Sequence, residues 1–230
     1  MPSYYSQKLA AERLIKVYDL ATPRVRQYLD AELNHVLSHI HPGDAVLDLG
    51  CGYGRTLPAL VQRAATVIGV DISLASLTLA RQRLAEIPNY HLAQMDAAHL
   101  GFSDNCFDLI VCIQNGISAF HVDQRTLIVE SLRVTKTVGK LLFSTYSAKF
   151  WEHRLEWFRL QAAAGLLGEI DEDKTRDGNI VCKDGFTATT VSEQQFRALT
   201  TGLDADISIV EVDESSLFCE LVKHPIRCHT

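Results

Sequence analysis

A seven-residue run limits the fold of this chain more than any other: Asp48-Leu-Gly50-Cys-Gly52-Tyr-Gly54, directly after the apolar stretch Ala45–Leu49. Glycines at alternate positions tolerate positive φ and leave no Cβ in the way, so a ligand can approach the backbone closely. The residues that follow read as a helix, whose first amides face such a ligand. Strand, glycine loop and helix in this order belong to a doubly wound α/β sheet, where ligands lie at the carboxyl ends of the strands. The spacing also discriminates. A dinucleotide fingerprint G-x-G-x-x-G counted from Gly50 requires glycine at 55, and that position is Arg55. A nicotinamide-dependent oxidoreductase is therefore disfavoured.

The surrounding sequence repeats the alternation. Apolar runs occur at Ala45–Leu49, Thr66–Val70, Phe107–Ile113 and Lys140–Thr145, with a weaker one at Tyr90–Gln94. Helical patterns fall between them near 55–63, 73–86 and 123–135, and Ser73 can cap the second. Strands apolar on both faces and spaced by helices indicate a parallel sheet covered on both sides. Right-handed crossovers then make the sheet doubly wound. The runs 206–212 and 216–222 are separated only by Asp213-Glu-Ser215, which predicts an antiparallel hairpin.

Two helices precede the first strand. Ala10, Leu14, Val17, Tyr18 and Ala21 form one stripe, and Thr22-Pro23 starts a second helix that Pro42-Gly43 ends. Residues 147–164 read as helical and carry Trp151 and Trp157. Residues 168–190 are rich in Asp, Glu, Gly and Thr, with strand-like pieces at 179–182 and 185–189, and a helix capped by Ser192 follows. The expected organisation is a helical cap over 1–41 and a Rossmann-like domain over 42–230, with 147–190 as a covering insertion.

Composition narrows the partners. The 230 residues carry 22 basic and 28 acidic side chains, a net charge of −6 without a long run of either sign. A chain that wraps a phosphate backbone usually presents a basic face, so a nucleic-acid partner is not expected. The longest stretch without charge, Leu109 to Val122, is interrupted by Gln114, Asn115 and Gly116. It falls short of the roughly 18 apolar residues of a membrane span. With no apolar core near the N-terminus, the expectation is a cytoplasmic protein without a membrane partner. The six cysteines include no C-x-x-C pair and read as reduced, structural thiols.

Acidic residues recur at the strand ends. Asp71 ends the second strand, where a carboxylate can accept hydrogen bonds from both hydroxyls of a ribose over the glycine loop. Asp96 and Ala97 follow the third strand, Asp108 begins the fourth, and Gln114-Asn115-Gly116 ends it. Together, Val46–Gly54, Gly69–Ser73, Met95–Ala97 and Phe107–Val111 resemble the class I S-adenosylmethionine-dependent methyltransferases, over about residues 40–222. The resemblance implies a mostly parallel seven-stranded sheet in the order 3-2-1-4-5-7-6 with one antiparallel strand. It implies S-adenosylmethionine as cofactor and S-adenosylhomocysteine as product. It sets Gly50, Cys51, Gly52, Tyr53 and Gly54 around the methionine part and Asp48 near its ammonium. Asp71 with Ile72 then serves the ribose, Asp96 with Ala97 the adenine, and Gln114 and Asn115 the region of the reacting methyl.

The acceptor is less legible. Methyltransferases of nucleic-acid amines commonly carry an Asp/Asn-Pro-Pro-aromatic tetrad after the fourth strand, where this chain has Gln114-Asn-Gly-Ile117. The resemblance is closest to the small-molecule branch, and a small-molecule acceptor is expected. RNA or protein acceptors, or a non-catalytic cofactor-binding regulator, remain the alternatives. Tyr5, Tyr18 and Trp151 in the covering segments are candidate acceptor contacts, although aromatics at helical spacing usually serve a core. His121 and Tyr146 are candidate bases, and Cys51 reads as a small filler. His35 and His39 have the i, i+4 spacing of metal ligands, but no carboxylate or cysteine is expected to complete the set. They read as solvated, and no metal is expected.

Overall fold

A computed structural model describes residues 8–225. Two helices open the chain, α1 (Glu12–Asp19) and α2 (Pro23–Ser38). Thr22 accepts the Val25 N–H and Pro23 takes the first helical position, as the sequence predicts. There follow β1 (Ala45–Leu49), α3 (Leu57–Val61), β2 (Thr66–Asp71), α4 (Leu74–Arg83), β3 (Tyr90–Gln94) and β4 (Phe107–Cys112). Next are a short α5 (Gly116–Ala119), α6 (Gln124–Val134) and β5 (Thr135–Tyr146). After β5 come α7 (Trp151–Ala163), the two-residue strands β6 (Ile180–Val181) and β7 (Thr187–Ala188), and α8 (Glu193–Thr200). Strands β8 (Ala205–Val212) and β9 (Ser216–Lys223) close the fold.

Seven strands pair in the order β3-β2-β1-β4-β5-β9-β8, while β6 and β7 form a separate ribbon. The five strands from β3 to β5 run parallel. Strand β9 is antiparallel to both its neighbours. This is the topology implied by the resemblance, with the last two strands renumbered by the ribbon.

Alternation along the strands divides the core. Leu47, Ile110, Cys112, Leu141 and Phe143 point to the cluster beneath α6 and α8. Val46, Leu109, Val111, Leu142 and Phe218 point to the cluster beneath α2, α3 and α4. The weak signal of Tyr90–Gln94 has its cause here, because β3 is an edge strand without a buried residue. A third apolar cluster lies beyond the sheet. It joins Val17 and Tyr28 of the N-terminal helices to Tyr146, Phe150, Trp157, Ile180 and Phe186. The first and last covering segments thus share one core, pinned by the buried Arg154 guanidinium, which donates to the carbonyls of Gly178 (2.6 Å) and Ala188 (3.0 Å).

Candidate active site

The loop after β1 turns back on β2. The Gly50 and Cys51 amides both donate to the Val70 carbonyl, at 2.8 and 3.0 Å. Gly50 has φ +75°, and a Cβ there would lie 2.5 Å from the Phe120 ring. Gly54 faces the other way, since its Cβ would meet Leu84 at 2.7 Å. The first glycine thus makes room at the site and the last lets α4 pack close. Cys51 packs against Gly69, with its sulfur 2.8 Å from where a Cβ would stand. It is a buried filler, and burial holds its thiol well above the usual range.

Asp71 ties this loop to the next. Its Oδ2 accepts the Gly52 N–H at 2.9 Å and its Oδ1 the Ser73 N–H at 2.7 Å. Each carboxylate oxygen keeps a further lone pair for an incoming hydroxyl. Burial raises its pKa, and the two amides oppose that rise. Beside it, Ile72 exposes 45% of its surface. The Met95 amide donates to the Asp71 carbonyl (3.1 Å), which sets the half-exposed Asp96 next to the same strand end. Asp96 accepts the Ala98 N–H at 2.9 Å, and Ala97 is buried behind it.

A narrow cavity of about 50 Å³ opens at the carboxyl ends of β1 and β4. Leu14, Tyr18, Asp48, Gly50, Arg55 and Gln114 are among its walls, with Cys51, Gly52 and Tyr53 beside them. Asp48 is buried and accepts from the Thr56 hydroxyl at 2.7 Å. Desolvation pushes its pKa up to about 6, against the pull of Thr56 and the Arg55 guanidinium. The buried Nη2 of Arg55 has no hydrogen-bond partner among the described residues. Its guanidinium lies over the Tyr18 ring, 4.9 Å from the centroid. A carboxylate and a guanidinium on one cavity complement the two ends of an α-amino acid. The residues present therefore fit the methionine part of S-adenosylmethionine.

Gln114 is held from two sides. Its φ is +55°, its N–H donates to Glu32 Oε2 (3.1 Å), and its side-chain oxygen accepts from the Tyr18 hydroxyl. Glu32 is fully buried on α2 and also accepts from Ser216 (3.1 Å). Its pKa rises to about 7 through desolvation, with Ser144, Ser216 and Arg55 acting in opposition.

Other expected site residues lie elsewhere. The Asn115 amide is spent on structure, donating to the Thr189 carbonyl and accepting from the Thr145 hydroxyl, each at 2.8 Å. It joins the end of β5 to the chain leaving β7, and it does not line the cavity. Tyr146 packs on Tyr28 and Phe150 beneath Arg154, and His121 is exposed. Neither lines the cavity. Trp151 is half-buried at the rim of the third apolar cluster, and Tyr5 lies outside the described residues. His35 and His39 are not solvated, because Glu220 of β9 reaches both. Glu32 and Thr56 carried no sequence signal, Leu14 entered only as part of a helical stripe, and Arg55 only as a departure from the dinucleotide pattern.

Comparisons with known proteins bear on the family and the fold. Residues 46–139 match the family model described as a methyltransferase domain. The chain is 36% identical over 118 residues to the ubiquinone/menaquinone biosynthesis C-methyltransferase UbiE of Legionella pneumophila, covering 48% of this chain and 46% of that one. It is 32% identical over 159 residues to the malonyl-[acyl-carrier protein] O-methyltransferase of a Marinomonas species, covering 64% and 57%. The chain thus spans about half the length of the curated relatives it matches. The N-methyltransferase NodS of Bradyrhizobium japonicum, solved with S-adenosylhomocysteine, superposes with a TM-score of 0.61 at 18% identity, covering 94% of this chain and 95% of that one. The PH0226 protein of Pyrococcus horikoshii gives 0.67 at 19% identity, covering 96% and 97%. No described helix is long and apolar enough to cross a membrane. By glycine loop, sheet topology and the family match over residues 46–139, the chain resembles the class I S-adenosylmethionine-dependent methyltransferases.

Proposed function

We propose that this chain transfers a methyl group from S-adenosylmethionine to a small-molecule acceptor. The observation that carries the reading is the pairing of Asp48 and Arg55 on one cavity, with Asp71 clamping the glycine loop beside it. When bound, the cofactor supplies an electrophilic methyl on a sulfonium, open to in-line attack by a lone pair. Asp48 would hold the ammonium and Arg55 the carboxylate. Asp71 would accept the ribose hydroxyls, beside the apolar Ile72. Asp96 and Ala97 would border the adenine. Gln114 would stand at the methionine end, where its backbone is fixed by Glu32.

The chain's main contribution is then orientation. Positioning of well-held reactants can remove about 7–11 kcal/mol of barrier. An amine or thiolate acceptor needs no strong base, in keeping with the burial of Tyr146 and the exposure of His121. The two curated relatives are named for ubiquinone/menaquinone biosynthesis and for methylation of malonyl-[acyl-carrier protein], which supports a small or carrier-bound acceptor. The apolar cluster shared by the N-terminal helices and 147–190 supports reading these segments as a cover on the acceptor side of the site. The cavity of about 50 Å³ would take the methionine end, while the nucleoside would lie outside it against Asp71 and Asp96; on this reading Tyr18 and α1 move aside to admit the cofactor.

Calorimetric titration with S-adenosylhomocysteine tests the cofactor assignment. Wild type should bind one equivalent, and Arg55→Met should weaken binding by roughly tenfold or more through loss of a charged hydrogen bond. Wild type that binds none would sink the reading. Methyl transfer from labelled cofactor to pooled metabolites, peptides and RNA then separates the acceptor classes. Label in the peptide or RNA pools alone would overturn the small-molecule assignment.

A further inference from the structure

We propose that His35, His39 and Glu220 form a binding site for a zinc-like divalent cation, which fastens helix α2 to strand β9. The site lies on the α2 side of the sheet and uses none of the residues lining the cofactor cavity.

The geometry is that of three ligands awaiting a centre. His35 Nε2 lies 2.8 Å from Glu220 Oε1, and His39 Nε2 lies 3.8 Å from the same oxygen. One ligand atom from each of the three residues falls within 4.8 Å of the others. A tetrahedral ion with bonds of about 2.0–2.1 Å separates its ligands by roughly 3.3 Å, between those two distances. The histidines are one helical turn apart, so both rings leave the same face of α2, 4.9 Å apart at their centroids.

The surroundings support ligation. Each of the three side chains is 17–18% exposed, shielded yet open to an entering ion. Phe218 packs against the His35 ring at 4.4 Å and limits its rotation. Ser208 donates to the second Glu220 oxygen at 3.5 Å, the kind of outer partner that orients a ligating carboxylate. Two imidazoles and one carboxylate suit zinc and its late first-row neighbours, whereas calcium and magnesium prefer all-oxygen sets. A water would complete four-coordination. One group opposes the ion: the Lys140 ammonium donates to His39 Nδ1 at 3.3 Å. Binding must turn this flexible side chain outward, and that gives the site a distinctive prediction.

A cation here would stiffen the wall of the cavity from behind. Glu32, which receives the Gln114 amide and the Ser216 hydroxyl, sits one turn before His35 on the same helix. The ion and Glu32 would then fix α2 to β9 at two successive points.

Zinc titration of chelator-stripped protein, followed by calorimetry, tests the proposal, with Co²⁺ absorption as a second reading. Wild type should bind one zinc per chain, and Co²⁺ should show ligand-field bands without thiolate charge transfer. His39→Ala should weaken binding by more than roughly 100-fold, beyond the 10–100-fold typical of lost outer partners. Glu220→Gln keeps the hydrogen bond to His35 and controls for a misfolded alanine variant; it too should lose affinity, by at least tenfold. Lys140→Ala removes no ligand and should tighten binding. Equal zinc affinity in wild type and His39→Ala, no binding by wild type, or a cobalt spectrum dominated by thiolate would each overturn the site.

Discussion

The Tyr18 hydroxyl donates to the Gln114 side-chain oxygen across 96 residues of sequence, closing the cavity mouth between α1 and the end of β4. The bond couples the N-terminal helices to the residue set beside the proposed methyl-transfer point. On the proposed reading, α1 would act as a latch that the cofactor has to open.

Removing the latch should ease entry. A single hydrogen bond is worth about 0.5–1.5 kcal/mol net. Tyr18→Phe is therefore expected to raise S-adenosylhomocysteine affinity by roughly two- to tenfold, mainly through faster association in stopped-flow fluorescence. Weaker binding by the variant would place the hydroxyl on the ligand and refute the latch.

Asp71 holds the loop and, on the proposed reading, would also meet the ribose; two variants separate these roles. Asp71→Asn keeps the shape and one acceptor but turns its NH2 toward one of the two amides, so its stability should fall by about 1–3 kcal/mol. Its S-adenosylhomocysteine affinity should fall by about 1.5–3 kcal/mol, tenfold or more, because a charged acceptor for ribose is lost. Asp71→Ala should add the cost of freeing the Gly52 and Ser73 amides. Unchanged affinity in Asp71→Asn, measured beside its urea midpoint, would remove Asp71 from the ribose.

Glu32 sets a pH dependence of stability. Its ordinary value of 4.5 is raised to about 7 in the fold, so the folded protein holds a proton that the unfolded chain has released. Stability from this group is complete below about 4.5 and is lost as pH climbs toward 7. A tenfold difference in proton affinity is worth about 1.4 kcal/mol, which makes the loss on the order of 3 kcal/mol. Glu32→Gln cannot titrate, so its stability relative to wild type should increase between pH 4.5 and about 7. Parallel curves for the two proteins by urea unfolding would contradict this assignment.

Two glycines in the loop should fail for different reasons. Gly50→Ala places a methyl 2.5 Å from the Phe120 ring at φ +75°, beside the cavity. Gly54→Ala drives a methyl into Leu84 at 2.7 Å, inside the packing of α4. Both should cost about 1–3 kcal/mol in thermal unfolding. Only Gly50→Ala should also weaken S-adenosylhomocysteine binding in the fraction that stays folded. Equal ligand affinity in the two variants would erase the distinction.

The framework was legible because its signals are local. Leu47 and Ile110 face one cluster while Val46 and Val111 face the other, and that double-sided burial is what their apolar runs announce. The short link Asp213–Ser215 forces β8 and β9 to pair antiparallel, and Asp71 falls where a strand end must place it. Tyr90–Gln94 was faint because an edge strand buries little.

Sheet, helices and glycine loop were thus specified along the chain itself, since periodicity and turn chemistry act over a few residues. Three-dimensional packing decided the rest. It brought Glu32 to Gln114 across 82 residues and Glu220 to His35 across 185. It turned the Asn115 amide away from the cavity toward Thr145 and Thr189. It also placed Tyr18 over Arg55. Such partners are chosen by which helix faces pack on the sheet, and buried polar groups must then find whichever donors and acceptors that packing delivers.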